Sequence, residues 1–189
     1  MSISICGGSR YTSNSPTFNL VRVITNELKN NNIRVICGAG RGVMSAVGLT
    51  YSGGYENLCT RVGIRSDFEE NAEDCYRFDG NGILHIVETL NEQSNYITTN
   101  GNVIMFFPGG SGTMGEFFNI ISNKSFINKT IICIGQFYQD LVNIMIENDR
   151  RERSDNFRFI NYIDNKIFII NNTESHEEVL YRIRNILKI

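Results

Sequence analysis

The sequence predicts an α/β fold: a Rossmann-like, doubly wound, mostly parallel sheet with helices on both faces. Three observations carry that prediction. Short β-rich runs alternate with longer runs of helical periodicity, the pattern that a parallel sheet and its crossover helices leave in a sequence. The runs at 103–107 and 130–134 are apolar along nearly their whole length, as strands covered on both faces must be. Three glycine clusters stand where strands end: Gly7-Gly8, Gly38-x-Gly40-x-Gly42 and Gly109-Gly110-x-Gly112.

Length and composition set the frame. With 189 residues, 41% of them hydrophobic and 20% charged, the chain is expected to form one globular domain over 1–189. A net charge of −2 supplies no basic excess for nucleic acid or an anionic membrane. No apolar run nears the roughly 20 residues that a membrane helix requires. The first residues lead into a strand without the basic stretch and cleavage site of a secretory signal. A soluble, cytoplasmic protein is expected.

The elements follow in order. Ser2 to Cys6 reads as a strand that ends at Gly7-Gly8-Ser9-Arg10. A polar loop with Pro16 precedes a helix in which Phe18, Val21, Ile24 and Leu28 recur at helical spacing. Asn30-Asn31-Asn32 stops it, and Ile33 to Cys37 is the second strand. The second glycine cluster opens a helix from Val43 to about Ser52, ended by Gly53-Gly54. Leu58 to Ile64 is a third strand, and the acidic stretch from Ser66 to Gly82 reads as a loop near the site. Ile83 to Val87 is a short strand, followed by a helix from Glu88 to about Thr99. Val103 to Phe107 runs into the third glycine cluster and a helix through about Ser122. After the strand from Thr130 to Ile134, a helix turns Leu141, Val142, Ile144 and Met145 inward. Asp149 to Asp164 is a surface connection and Lys166 to Ile170 the last strand. The final helix opens with Ser175 and Glu178 as a capping box and buries Val179, Ile183 and Ile186.

Metal and disulfide chemistry find no support. The five cysteines form no CxxC pair, and Cys6, Cys37 and Cys133 sit in strand-like runs as small buried hydrophobes. The two histidines, His85 and His176, lie far apart in sequence. No metal and no resident cofactor are expected.

The glycine clusters carry the chemistry. In an open parallel sheet, ligands bind outside the carboxyl ends of the strands. Glycine there lets the backbone approach a ligand without a Cβ clash. The second and third clusters also open helices, whose free N–H groups and positive ends suit a phosphate. Tight strand-to-helix turns also need glycine for steric reasons alone, so one such turn is weak evidence and three at strand ends are stronger. The clusters match neither a Walker A loop nor the GxGxxG dinucleotide fingerprint. The expected ligand residues are Gly8, Ser9, Gly38, Gly40, Arg41, Gly42, Gly109, Gly110, Ser111, Gly112 and Thr113, with the Thr113 hydroxyl donating to a phosphate oxygen. Glu116 lies one helical turn further on, where its carboxylate reaches back toward the same crevice. An acid in a first helical turn also complements the helix dipole.

Pro108-Gly109-Gly110-Ser111-Gly112-Thr113-Met114-Gly115-Glu116 resembles the PGGxGTxxE signature of the LOG ("lonely guy") family, long misannotated as lysine decarboxylases. Gly38-Ala39-Gly40-Arg41-Gly42-Val43-Met44-Ser45-Ala46 resembles the GGGxGxMEA turn of the same superfamily, and Ile5-Cys6-Gly7-Gly8-Ser9 its opening strand and loop. The resemblance implies a Rossmann-like fold, a homodimer or larger assembly, and a nucleoside monophosphate ligand. Active members hydrolyse the N-glycosidic bond to free base and ribose 5-phosphate, with the glutamate matching Glu116 as the catalytic group. A carboxylate suits the cationic sugar of that transition state.

The chain departs from the pattern where hydrolytic members carry an Arg-Lys or Arg-Asn pair. Gln93 and Ser94 stand there, and no Arg or Lys occurs between Arg77 and Lys124. Arg10, Arg41, Arg61 and Arg65 are the cations that could take the pair's place. Ala39 and Ser45 are milder departures. Two readings follow: a nucleoside 5'-monophosphate phosphoribohydrolase, or a non-catalytic sensor or carrier of a nucleotide or cofactor such as a pterin. Decarboxylation is disfavoured, because no lysine stands in a motif suited to a pyridoxal Schiff base.

Overall fold

The computed structural model describes residues 1–68, 81–122, 128–152, 166–171 and 173–189. The acidic stretch at 69–80, Cys75 within it, and most of the connection before the last strand lie outside the described residues. Strand and helix alternate as β1 (Ser2–Cys6), α1 (Pro16–Asn30), β2 (Arg34–Gly38), α2 (Val43–Thr50), β3 (Cys59–Ile64), β4 (Ile83–Val87), α3 (Leu90–Asn100), β5 (Val103–Phe106), α4 (Ser111–Ser122), β6 (Thr130–Ile134), α5 (Gln136–Glu152), β7 (Ile167–Ile170) and α6 (His176–Leu187). The seven strands form one sheet in the order β4-β3-β2-β1-β5-β6-β7, and every adjacent pair is parallel. The fold is therefore the doubly wound α/β arrangement that the sequence predicts.

Local chemistry fixes the helix ends. Ser15 caps α1 by accepting from the Phe18 N–H at 3.2 Å. Pro16, expected in the preceding loop, instead occupies the first helical position, where its missing N–H costs nothing. The capping box of α6 forms as expected: Ser175 Oγ accepts from the Glu178 N–H, and Glu178 accepts from the Ser175 N–H at 2.8 Å.

Helices cover both faces of the sheet. One core layer joins Phe18, Val21, Ile24 and Leu28 of α1 and Val43, Ala46 and Val47 of α2 to Val179, Ile183 and Leu187 of α6. The other joins Ile97 of α3, Phe117 and Ile120 of α4, and Tyr138 and Val142 of α5. One inward residue is corrected here. Ile144 is 63% exposed, whereas Tyr138, Val142 and Met145 form the apolar stripe of α5. Ile144 stands about 200° around the helix from Val142, so both cannot face the sheet.

The strand order positions the site. From β1 the chain builds outward through β2, β3 and β4, then returns to place β5 on the other side of β1. Cys6 pairs with Phe106 at the carboxyl end of that junction. A crevice opens where the winding direction changes, and there doubly wound sheets hold their ligands.

Candidate functional site

All three glycine turns meet at this crevice. The loop after β1 is clamped from both sides: the Gly8 N–H donates to the Pro108 carbonyl at 3.0 Å, and the Gly8 carbonyl accepts from the Val43 N–H at 3.1 Å. The Phe107 N–H donates to the Cys6 carbonyl at 2.8 Å, which continues the β1–β5 pairing into the turns. Such close approach needs glycine. A Cβ on Gly42 would lie 2.3 Å from the Gly8 carbonyl oxygen, and one on Gly109 would lie 2.2 Å from Thr113 Oγ1 and 2.9 Å from the Gly8 nitrogen.

The structure separates most of the expected ligand residues into two groups. Gly8, Ser9, Gly42, Gly109 and Thr113 pack against one another, and Thr113 is buried with its side chain folded onto Gly109. Gly110 and Gly112 have open space where a Cβ would stand, and Ser111 is exposed beside them. The Met114 N–H donates to the Gly110 carbonyl, so the N–H groups of Ser111, Gly112 and Thr113 are the first-turn donors of α4 without an intrahelical acceptor. In α2 the first donor is already spent, because the Val43 N–H is bonded to Gly8. The helix end left open at the crevice is that of α4.

The second turn is held from beneath. Arg61 of β3 is fully buried, and its Nη2 donates to the Gly40 carbonyl at 3.0 Å and its Nε to the Gly38 carbonyl at 3.5 Å. Arg61 is therefore not exposed to the crevice as a replacement for the family's arginine. Arg65 pairs with Glu88 at 2.8 Å on the surface. Arg10 and Arg41 are exposed residues of the first and second turns. Gln93, at the family's arginine position, does reach the crevice edge. Its Nε2 donates to the Val62 carbonyl at 2.7 Å and stands 3.8 Å from where a Gly38 Cβ would be.

Glu116 sits on α4 against the end of β1, hydrogen-bonded to the Cys6 thiol. Burial raises its pKa above the ordinary carboxylate value, and the Cys6 hydrogen bond opposes that rise. Neither influence is a cation. Cys6 in turn is raised well above the ordinary thiol value by its burial and by the Glu116 charge. Sequence reasoning read Cys6 only as a small hydrophobe. Its link to Glu116 depends on the β1–β5 adjacency, although its place just before Gly7-Gly8 was a usable signal. Tyr11 was missed as well: its ring edge lies 3.0 Å from where a Gly8 Cβ would be, so it flanks the first turn.

Comparison with known proteins bears on the family and the fold. The family model described as "possible lysine decarboxylase" matches residues 47–172. The chain resembles in structure the molybdenum cofactor binding protein of the phototrophic bacterium Rippkaea orientalis, with a TM-score of 0.62 and 18% identity over 98% of this chain and 96% of that one. The molybdenum cofactor carrier protein of Chlamydomonas reinhardtii is similar at a TM-score of 0.59 and 12% identity, over 100% and 97% of the two chains. DNA processing protein A of Helicobacter pylori, described as binding single-stranded DNA, is similar at a TM-score of 0.59 and 11% identity, over 98% and 80%. These identities establish a shared fold. No curated protein sequence matches the chain.

Proposed function

This chain belongs to the LOG-like family described as possible lysine decarboxylases, and we propose that it binds a nucleoside monophosphate or a related phosphorylated cofactor in the β1–β5 crevice. One observation carries the reading: three glycine turns interlock at the switch point and leave the first turn of α4 open for an anion. In this reading the phosphate lies on the N–H groups of Ser111, Gly112 and Thr113, between the Gly109–Thr113 turn and the Gly38–Gly42 turn. Gly8 and Ser9 form the floor, and the ligand's remainder extends toward Gln93. Calorimetry with AMP tests it, and absence of heat with AMP and with inorganic phosphate alike counts against it.

Thr113→Val checks the hydroxyl. If Thr113 donates to the phosphate, affinity falls by roughly 0.5–1.5 kcal/mol, the net worth of a neutral hydrogen bond. If it only braces Gly109, as its burial favours, calorimetry shows unchanged affinity for the folded variant.

Binding is the leading reading and hydrolysis the second. The cation of hydrolytic members has no counterpart acting on Glu116 among the described residues. Hydrolysis keeps one specific observation in its favour, a buried carboxylate beside the phosphate turn. Decarboxylation finds none. Among the described residues Lys29 donates to the Thr50 carbonyl, Lys129 to the Thr99 carbonyl at 2.6 Å, Lys166 precedes β7 and Lys188 follows α6. All four stand at the amino edge of the sheet, away from the crevice.

We also propose a homodimer. Phe118 of α4 is 44% exposed and Phe137 of α5 is 50% exposed, and each meets a buried neighbour edge to face, Phe118 with Phe117 and Phe137 with Tyr138. With Ile144 they extend an apolar surface across two neighbouring helices, more than one helix face needs for its own core. Light scattering is expected to give twice the 21.5 kDa chain mass at micromolar concentration. A mass of one chain counts against it.

A further inference from the structure

We infer that Gln93 sets the specificity of the crevice: its amide oxygen selects a ligand whose flat heterocycle carries an amino group at its edge over one that carries a carbonyl there. The inference rests on the binding proposal above and deepens it to the class of base.

The amide is held in one orientation. Gln93 Nε2 donates to the Val62 carbonyl at 2.7 Å. A carbonyl only accepts, so the nitrogen must be the end that faces β3 and Oε1 the end turned away from it. The same carbonyl also accepts from the Ala39 N–H at 2.8 Å, so a single oxygen of β3 ties α3 to the second glycine turn. Oε1 has no hydrogen-bond partner among the described residues. No buried side-chain nitrogen or oxygen among those residues lacks a partner, so Oε1 is reached by solvent. It is an acceptor already in place, with little rotamer freedom left to lose when a donor arrives.

Its surroundings suit a flat ring. Gly38 ends β2 between two half-buried side chains: a Cβ there would stand 3.5 Å from Met44 Cγ and 3.8 Å from Gln93 Nε2. Met44 also reaches over Gly40, where a Cβ would lie 2.9 Å from Met44 Cε. The two glycines leave room beside the thioether, and sulfur beside an aromatic ring is a favourable contact. The strand order β5-β1-β2 puts the carboxyl end of β2 two strand spacings from that of β5, about 10 Å. From a phosphate on the first turn of α4, that span passes the ribose and reaches the base. The ring then lies against Met44 with its edge toward Gln93 Oε1. A carbonyl at that edge would set two acceptors against each other, and a polar group left without its partner costs more than one made hydrogen bond contributes.

Calorimetry with AMP, IMP and 2'-deoxy-AMP tests the inference, read as ratios of Kd. Wild type is expected to bind AMP about tenfold more tightly than IMP, as for a hydrogen bond exchanged for an acceptor without a donor. It is expected to bind 2'-deoxy-AMP as it binds AMP. Gln93→Met keeps the length of the side chain and removes both polar atoms, so the AMP to IMP ratio should fall to near one. Gln93→Arg still donates to Val62 and turns a donor outward, so the preference should shift toward IMP. A side chain that only braces α3 on β3 would change stability and leave these ratios unmoved. Equal affinity of wild type for AMP and IMP overturns the inference, as does a preference for AMP that persists in folded Gln93→Met. If Gln93→Met does not fold, an unchanged preference in Gln93→Arg overturns it. A loss seen with 2'-deoxy-AMP and not with IMP moves the donor to the ribose and overturns the assignment to the base. A wild type that binds none of the three overturns the binding proposal itself, and this inference with it.

Discussion

Gly42→Ala is expected to lower stability by about 3 kcal/mol and to abolish ligand binding, because two independent costs fall on one residue. Gly42 has φ +67° and ψ −122°, a conformation that residues with a side chain avoid, at a strain of order 1–3 kcal/mol. An added Cβ would also lie 2.3 Å from the Gly8 carbonyl and 2.7 Å from the Ser9 carbonyl carbon. Both neighbours are backbone, and Gly8 is held at the same time by Val43 and Pro108. Relief therefore requires pulling the first turn off the third, and overpacking of that kind costs roughly 1–3 kcal/mol more. For a chain of this length the midpoint of thermal unfolding should drop by about 6–12 °C. Gly112→Ala is the contrasting variant. Gly112 lies in α4 with nothing near its would-be Cβ. Alanine there should raise stability by about 0.5–1 kcal/mol, while lowering affinity if a phosphate lies against that backbone. A Gly42→Ala protein as stable as wild type would show that the three turns are not the rigid unit described here.

The contrast between these glycines also marks how far the sequence could be read. The pattern of strands and helices, the capping box at Ser175 and the glycine turns were legible because each depends on residues within a few positions of one another. The convergence of the turns follows once the strands are read as a parallel sheet wound both ways. What could not be read is which glycines stand open and which are packed against protein. Gly42 and Gly109 are packed against neighbours contributed by other turns, and Gly110 and Gly112 are open, yet in the sequence all four look alike. Arg61 was legible only as a cation that could take the place of the family's arginine, since charged side chains usually lie at the surface. The signals of its burial were Val62 and Cys59 in the same short strand and Gly48 in the middle of α2, two separate hints that meet only in three dimensions. Ile144 failed for a different reason: two apolar faces of α5 compete, and periodicity alone does not say which one meets the sheet.

Glu116 decides between the two functional readings, and its substitution should act on stability and turnover in opposite directions. Burial raises the Glu116 pKa in the folded chain above its unfolded value. The fold therefore favours the protonated form, and this group's contribution to stability is full below the ordinary carboxylate pKa and is lost as pH rises through the elevated one. Above that window the charged, half-buried carboxylate is a liability that Glu116→Gln removes. The variant should gain stability over wild type as pH rises through the window, measured as the difference in denaturant midpoint, and the gain should level off above it. A difference independent of pH would mean that Glu116 is not buried in solution as described. Turnover should move the other way. If the protein cleaves N-glycosidic bonds, only an ionised carboxylate offsets the positive charge that develops on the ribose, so Glu116→Gln should lower turnover on the order of 10²-fold or more. Affinity should change little if, as proposed, the turn that opens α4 holds the phosphate. Gln93→Arg restores a cation at the crevice edge in place of the Gln93 amide that now donates to Val62, and should raise turnover where Glu116 is intact. Chromatography of nucleoside monophosphates incubated with each variant reads the outcome. If neither wild type nor Gln93→Arg releases free base, Glu116 has no glycosidic bond to act on here. Glu116 then belongs to a site that holds its ligand intact.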